Sequence, residues 1–264
     1  MSTYTTIRVS TDPRGLCEIQ LARPELLNRF DPDLHHELTR ALRDLATDPD
    51  IRAIVLTSTG KAFSAGGDFE LMEQANKDAA TRREIIADAR RLLDAFIELP
   101  QPVVVAVQGA AIGLGATVAM LCDAVVATRT AVLADTHVAI GLVAGDGGCL
   151  VWPEALGMTR ARRHLLTGDP LDAGTAFTLG VVTDLVDTPD EASATAREIA
   201  GRIASLAPLA VQGTKRALNS RSQLRALEVV DLALSLEEQT LGSEDLMEGV
   251  NAFRQKRTPE FRGR

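Results

Sequence analysis

Two glycine-rich turns hold the residue types from which carbonyl chemistry could be built without a metal. The first, Lys61-Ala-Phe-Ser-Ala-Gly-Gly-Asp68, follows an apolar run from Ile51 to Thr57. The second lies within Gln101–Ala119, QPVVVAVQGAAIGLGATVA. There an unbroken β-branched run, Val103 to Val107, bounded by Pro102 and Gly109, reads as a buried strand, and a helix opens near Gly113. Gly109, Gly113 and Gly115 permit close backbone approach, and the first N–H groups of a helix have no intrahelical partner. Such an end carries partial positive charge and attracts an anion or a developing oxyanion. Two strand–turn–helix units thus offer two N–H groups to one oxygen, an oxyanion hole in outline. Taken singly, each turn is better explained as a tight connection.

The elements that must position these turns follow from the rest of the chain. Tyr4–Ser10 and Leu16–Leu21 read as strands joined by the turn Asp12-Pro-Arg-Gly15. Asp31-Pro-Asp-Leu opens a helix with an N-cap and a proline at its first position, and Leu34, Leu38, Leu42 and Leu45 form its apolar stripe. Ile51–Thr57 is a third strand, and Glu70–Leu99 a polar helical stretch ending at Pro100. Beyond the second turn, Ala124–Ala127, Ala131–Ala134 and Val181–Val186 read as short strands, with helices over Leu150–Leu156 and Thr159–Leu166. From Glu191 the pattern is helical throughout: Glu191–Leu206, Leu209–Asn219, Gln223–Thr240 and Ser243–Gln255. The expected organisation is an α/β core over residues 1–190 and a helical C-terminal subdomain over 191–264.

Composition narrows the partners. A formal net charge of −8 and a pI near 5.1 argue against nucleic acid or an anionic membrane surface, although Arg160-Ala-Arg-Arg163 could meet a phosphate locally. One tryptophan, one tyrosine and seven phenylalanines leave the core to aliphatic side chains. Cys17, Cys122 and Cys149 show neither metal spacing nor a paired framework, and buried reduced thiols are expected. With no secretory signal and no apolar run of membrane-spanning length, a cytoplasmic location is expected.

In this order and spacing the motifs resemble the crotonase (enoyl-CoA hydratase/isomerase) superfamily over nearly the whole chain. Leu21-Ala-Arg-Pro24 through Asn28 is similar to its N-terminal motif, and Ala62–Asp68 to its first oxyanion loop. Gln108–Gly115 with Leu121-Cys-Asp123 is similar to the second loop. Leu166-Thr-Gly168 and the tail Gly249–Arg257 also match. The resemblance implies a ClpP-like spiral of ββα units with an all-helical C-terminal subdomain for oligomerisation as a trimer or dimer of trimers. It implies acyl-CoA substrates of the kind met in fatty acid metabolism, with coenzyme A as part of the substrate and no separate cofactor or metal. The thioester oxygen would be held by the amides of Ala65 and Leu114, with Gly66, Gly67, Asp68 and Gly113 around the substrate. Phe253 and Lys256, with Arg257, match the tail that reaches CoA.

The chain departs from that pattern at both hydratase glutamates, where Thr117 and His137 stand. A threonine hydroxyl is no base at neutral pH without an activator, so standard hydration is not expected. An imidazole with an ordinary pKa near 6.5 is a suitable base, and Asp146, nine residues after His137, could orient it from its far nitrogen. The plainer alternatives are a core histidine and a turn carboxylate. Asp68 is better placed to cap the following helix than to carry protons. The His/Asp pair followed by Val151-Trp-Pro153 is also similar to the β-diketone hydrolase branch typified by 6-oxocamphor hydrolase, which cleaves carbon–carbon bonds without CoA. That branch carries a further histidine near the position of Leu114 and a glutamate from the C-terminal helices; Glu237 and Glu238 are candidates, with a solvated acidic face the expected alternative. His35, His36 and His164 are expected on helix surfaces. An acyl-CoA enzyme with non-standard acid/base residues is the leading expectation, beside a CoA-independent β-diketone hydrolase and an inactive acyl-CoA-binding member.

Overall fold

The computed structural model describes residues 4–264. Strands β1 (Ile7–Thr11) and β2 (Leu16–Leu21) form an antiparallel hairpin whose turn is closed by Asp12, which accepts from the amides of Arg14 and Leu16 at 2.8 and 3.2 Å. From β2 onward the large sheet is parallel: β3 (Ala53–Ser58), β4 (Val103–Val107), β6 (Ala124–Thr128) and β9 (Asp184–Val186) follow in the order β1-β2-β3-β4-β6-β9. A second sheet holds β5 (Ala110–Ile112), β7 (Val132–Ala134) and β8 (Leu171–Asp172) in the order β5-β7-β8. The chain alternates between the sheets at β4-β5-β6-β7, which gives the spiral of the crotonase fold its repeat. Strand β5, only three residues long and joined to β4 by Gln108-Gly109, is too short to be read from a period-2 pattern.

Parallel strands covered on both faces should be apolar, as β4 (VVVAV) is throughout and β3 (AIVLTS) is over Ala53–Leu56. Alternate residues go to opposite layers. Ile54, Leu56, Val103 and Val105 pack with Leu34, Leu38 and Leu42 of α1 (Pro32–Ala46) and Leu92 of α3 (Ala79–Glu98). Ala53, Val55, Val104 and Ala106 pack with Ala192, Ala196, Ala200 and Ala204 of α8 (Pro189–Ala204). The alanines, spaced one helical turn apart, let α8 sit close to the sheet. The expected boundary at 190/191 falls inside α8, whose alanines pack on the large sheet.

Two helical expectations change. The stretch 70–99 is divided into α2 (Phe69–Lys77) and α3 by Asp78, whose extended backbone and carboxylate cap α3 at the amides of Ala80 and Thr81. Conversely, the gap expected at 220–222 is absent: α9 runs unbroken from Pro208 to Leu241, since Ser220, Arg221 and Ser222 weaken a helix without breaking it. The remaining helices are α4 (Leu114–Leu121), α5 (Gly148–Leu156), α6 (Met158–Thr167), α7 (Ala173–Thr178) and α10 (Glu244–Gln255). Among the described residues no helix is long and apolar enough to cross a membrane. Cys17 is buried, while Cys122 and Cys149 are half-buried free thiols.

Candidate active site

The two glycine-rich turns lie against each other. Ser64 donates its amide to Ala110 O at 3.1 Å, and Ile112 donates to Ser64 O at 3.0 Å, a short parallel bridge between the loops. A Cβ on Gly109 would stand 2.1 Å from Lys61 O, and one on Gly115 2.8 Å from the Ser64 Cβ. The closest neighbour of these two glycines is thus the other loop. Gly113 differs: at φ +53, a Cβ there would stand 3.3 Å from Cε1 of His137. The imidazole rests directly on the second loop.

The hydrogen bonds decide which amides remain for a ligand. Ala65 donates to Leu27 O at 3.0 Å, so the expected donor is already engaged in anchoring the loop. Gly66 donates to Ser64 Oγ at 3.2 Å and accepts from Phe30 at 2.7 Å. Gly67 has no acceptor among the described residues; nor do Lys61, Ala62 and Phe63, but of these four Gly67 lines the outer cavity. In the second loop Gly113 donates to Ala134 O at 2.8 Å, whereas Leu114 opens α4 and has no acceptor within its helix. Ala65, the donor the resemblance implies, is thus engaged by Leu27 O, while Gly67 and Leu114 keep N–H groups without an acceptor among the described residues. Sequence alone could not separate Ala65 from Gly67, because the distinction rests on Leu27, which reaches the loop from nearly 40 residues upstream.

Two chambers meet at these amides. An outer cavity of about 510 Å³ is lined by apolar groups including Phe69, Met72, Ile112 and Ile140, with Phe253 and Arg257 at its tail end. An inner chamber of about 50 Å³ lies behind it, lined by His35, Asp146 and Glu237 among aliphatic side chains, with Leu114 in its wall. Gly67, Met72 and His137 line both. Phe253 is mostly exposed and meets Phe69 edge to face at 5.1 Å. Lys256 ends α10 in the left-handed conformation and does not line the cavity; Arg257 does, held by Glu248 at 2.8 Å. Asp68 caps α2 at the Glu70 amide (2.9 Å) and pairs with Arg29 at 3.2 Å, as its capping role requires.

His137 begins a 3-10 turn after β7 and is clamped on both ring nitrogens. Nδ1 meets Asp135 Oδ1 at 2.8 Å, and Nε2 meets Asp146 Oδ2 at 3.3 Å. The orienting carboxylate is thus Asp135, two residues before the histidine and fully buried, which sequence reading missed. Asp146 occupies the opposite nitrogen, beside the inner chamber. Burial pulls the imidazole pKa down, but the attraction of Asp146 and Asp135 outweighs it and holds the ring well above its ordinary 6.5. The carboxylates address opposite edges of one ring, which suits a clamped imidazolium better than converging metal ligands.

The sequence Gly145-Asp-Gly-Gly148 makes this clamp possible. A Cβ on Gly148 would lie 2.3 Å from Asp135 Oδ2, and one on Gly145 2.6 Å from Glu237 Oε2. Glu237, expected on a solvated face, is buried where α9 crosses this segment. Desolvation, then repulsion from Asp146, raises its carboxyl well above 4.5, with His137 opposing. His35 also corrects an expectation: it lies on the buried stripe with Leu38 and Leu42, and burial lowers its imidazole to about 4, leaving it neutral. His164 is buried too, against Trp152 at 5.5 Å, while His36 is exposed. Thr117 is fully buried with an unpartnered hydroxyl and has no activating base.

The comparisons agree with this architecture. Residues 11–264 match the family model described as enoyl-CoA hydratase/isomerase. The chain is 36% identical to the "Probable enoyl-CoA hydratase echA8" of Mycobacterium tuberculosis, over 98% of both chains. It is 32% identical to the 1,2-epoxyphenylacetyl-CoA isomerase of Escherichia coli, covering 95% of this chain and 96% of that one. Among solved structures, an enoyl-CoA hydratase/isomerase from Mycobacterium paratuberculosis superposes with a TM-score of 0.90 at 39% identity, covering 95% of this chain and 99% of that one.

Proposed function

The chain belongs to the enoyl-CoA hydratase/isomerase family and acts on an acyl-CoA thioester, and we propose that it does so through an enolate held by the amides of Gly67 and Leu114 with Asp146 as the proton-handling base. The supporting observation is the pair of unclaimed amides at the junction of the two chambers. The CoA portion occupies the outer cavity, and the acyl group points past the amides into the inner chamber. Each N–H contributes roughly 3 kcal/mol as negative charge develops on the thioester oxygen. The free Oδ1 of Asp146, which has no hydrogen-bond partner, takes the proton from the acyl carbon and returns it. His137, kept as imidazolium between Asp135 and Asp146, holds that carboxylate in place. General acid–base help of this kind contributes about 10²–10⁴-fold. One basic carboxylate with no second acid at Thr117 suits proton transfer at carbon better than addition of water. Turnover of a panel of CoA esters tests this: His137→Ala and Asp146→Asn should each abolish most activity. Ordinary crotonyl-CoA hydration that survives His137→Ala would contradict it.

A second reading, CoA-independent hydrolysis of cyclic β-diketones, draws support from Glu237, which α9 delivers into the chamber beside Asp146. Leu114, where that branch carries histidine, speaks against it. A melting-temperature shift with CoA esters and none with diketones would remove it. The exposed Leu218, Leu224, Leu227 and Leu232 along α9 support assembly as a trimer or dimer of trimers.

A further inference from the structure

The inner chamber is small, dry-walled on most sides and chemically unbalanced. Leu71, Leu142 and Leu241 line part of it. Against these stand buried polar atoms with no hydrogen-bond partner: Nδ1 of His35, Oδ1 of Asp146 and Oε2 of Glu237. Each of these residues is more than nine-tenths buried. A hydrocarbon acyl chain in this space would leave all of them unpaired, and each stranded group costs about 1–3 kcal/mol. With about 50 Å³ open to the centre of a water-sized sphere, where a single water needs about 10–15 Å³, the chamber admits only a small group. Any ligand oxygen that meets these groups must therefore lie within two or three bonds of the thioester carbon held between Gly67 and Leu114.

We propose that the chamber selects a short acyl group carrying a second carbonyl oxygen on its β carbon, a 3-oxoacyl thioester, and that Glu237 is the specificity residue that donates a hydrogen bond to that oxygen. A ketone oxygen only accepts, so the partner it finds here is Glu237, an acid kept protonated by burial and by its neighbour so that it donates; Asp146 is left to face the acyl carbon. A carboxylic acid in an apolar site can serve as a donor at neutral pH in this way. Sites built to hydrogen-bond a polar group discriminate strongly against the analogue that lacks it, because their own groups are then left unpaired. The inference rests on the acyl-CoA reading above and adds to it the chemistry of the acyl group. Glu237 acts here on binding, and the proton transfer assigned to Asp146 does not pass through it.

The test is the dissociation constant of acetoacetyl-CoA against that of butyryl-CoA, which has the same chain without the oxygen, by titration calorimetry with ligand integrity checked by mass spectrometry. The wild-type protein should bind acetoacetyl-CoA at least tenfold more tightly. Glu237→Leu should bring the two within about twofold, and Glu237→Gln, whose amide still donates, should keep most of the preference. If Glu237→Leu fails to fold, the wild-type ratio and the Glu237→Gln ratio still decide. Butyryl-CoA bound as tightly as acetoacetyl-CoA by the wild type overturns the proposal while leaving the acyl-CoA reading standing. Binding of neither ester, nor of CoA itself, overturns both.

Discussion

The outer cavity and the inner chamber meet at the same two amides yet are built by opposite means. The outer side is backbone and hydrocarbon: glycines that let one loop lie on another, aliphatic walls and one aromatic pair. The inner side is made of buried ionisable side chains from four separate places, namely His35 on α1, Asp135 and His137 after β7, Asp146 before α5 and Glu237 on α9. A loop that holds an oxygen by its N–H groups tolerates sequence change around it, because the donor is the main chain. A cluster of buried charges tolerates little, because each member sets the protonation of the next. On the function proposed above, the backbone half of an acyl-CoA site is kept while other side chains take over its acid–base work.

Breaking the inner half should have the larger effect. Asp146→Asn removes the base while keeping its shape and should lower turnover about 10²–10⁴-fold; it also removes a charge that holds His137 protonated, so the melting temperature should drop as well. A loss below tenfold, measured on the best CoA ester of a panel, would assign the proton to another group.

The outer half can be split into its two amides. Gly67→Pro deletes an unclaimed N–H and should lower kcat about 10²–10³-fold. Ala65→Pro deletes an N–H that anchors the loop to Leu27, so its signature is lost stability of about 1–3 kcal/mol in denaturant unfolding. If Ala65→Pro costs activity and no stability, the donor has been assigned to the wrong residue.

A smaller effect separates the chambers by pH. Glu237 and His137 both hold their protons more tightly folded than unfolded. Their stabilising contributions are complete below about 4.5 and 6.5 respectively and fade as pH rises through the raised folded values. His35, lowered to about 4, works in the opposite direction and adds stability as pH rises from about 4 to 6.5. The difference between the wild-type and Glu237→Gln curves removes the terms they share, and it should shrink as pH rises above about 4.5. Parallel curves for the two proteins would contradict this. The smallest change is expected from Lys256→Ala, which lies outside the cavity lining and should alter KM for a CoA ester by less than Arg257→Ala does.

The same division governs what could be read from the chain before its structure. Strand β4, the capped start of α1 and the opening of α4 follow from local patterns of β-branched residues, proline and glycine, and they sit where those patterns put them. The two glycine-rich turns were legible because their geometry is local backbone. That the Ala65 amide donates to Leu27 O was not, since a contact between distant segments leaves no trace in spacing. Glu237 and His35 were misplaced for the same reason. An acidic residue on a mixed helix looks solvated until another segment, here Gly145–Gly148, is laid across it. Asp135 carried the one signal that was available, an Asp-x-His spacing able to fold back on the ring's Nδ1.

A crystal structure with a bound CoA ester tests the central claim most directly. The thioester oxygen should lie about 3 Å from both the Gly67 and Leu114 nitrogens, with the acyl carbons facing Asp146 in the inner chamber. An oxygen bound elsewhere, or an acyl group directed away from the His137 clamp, would contradict the account.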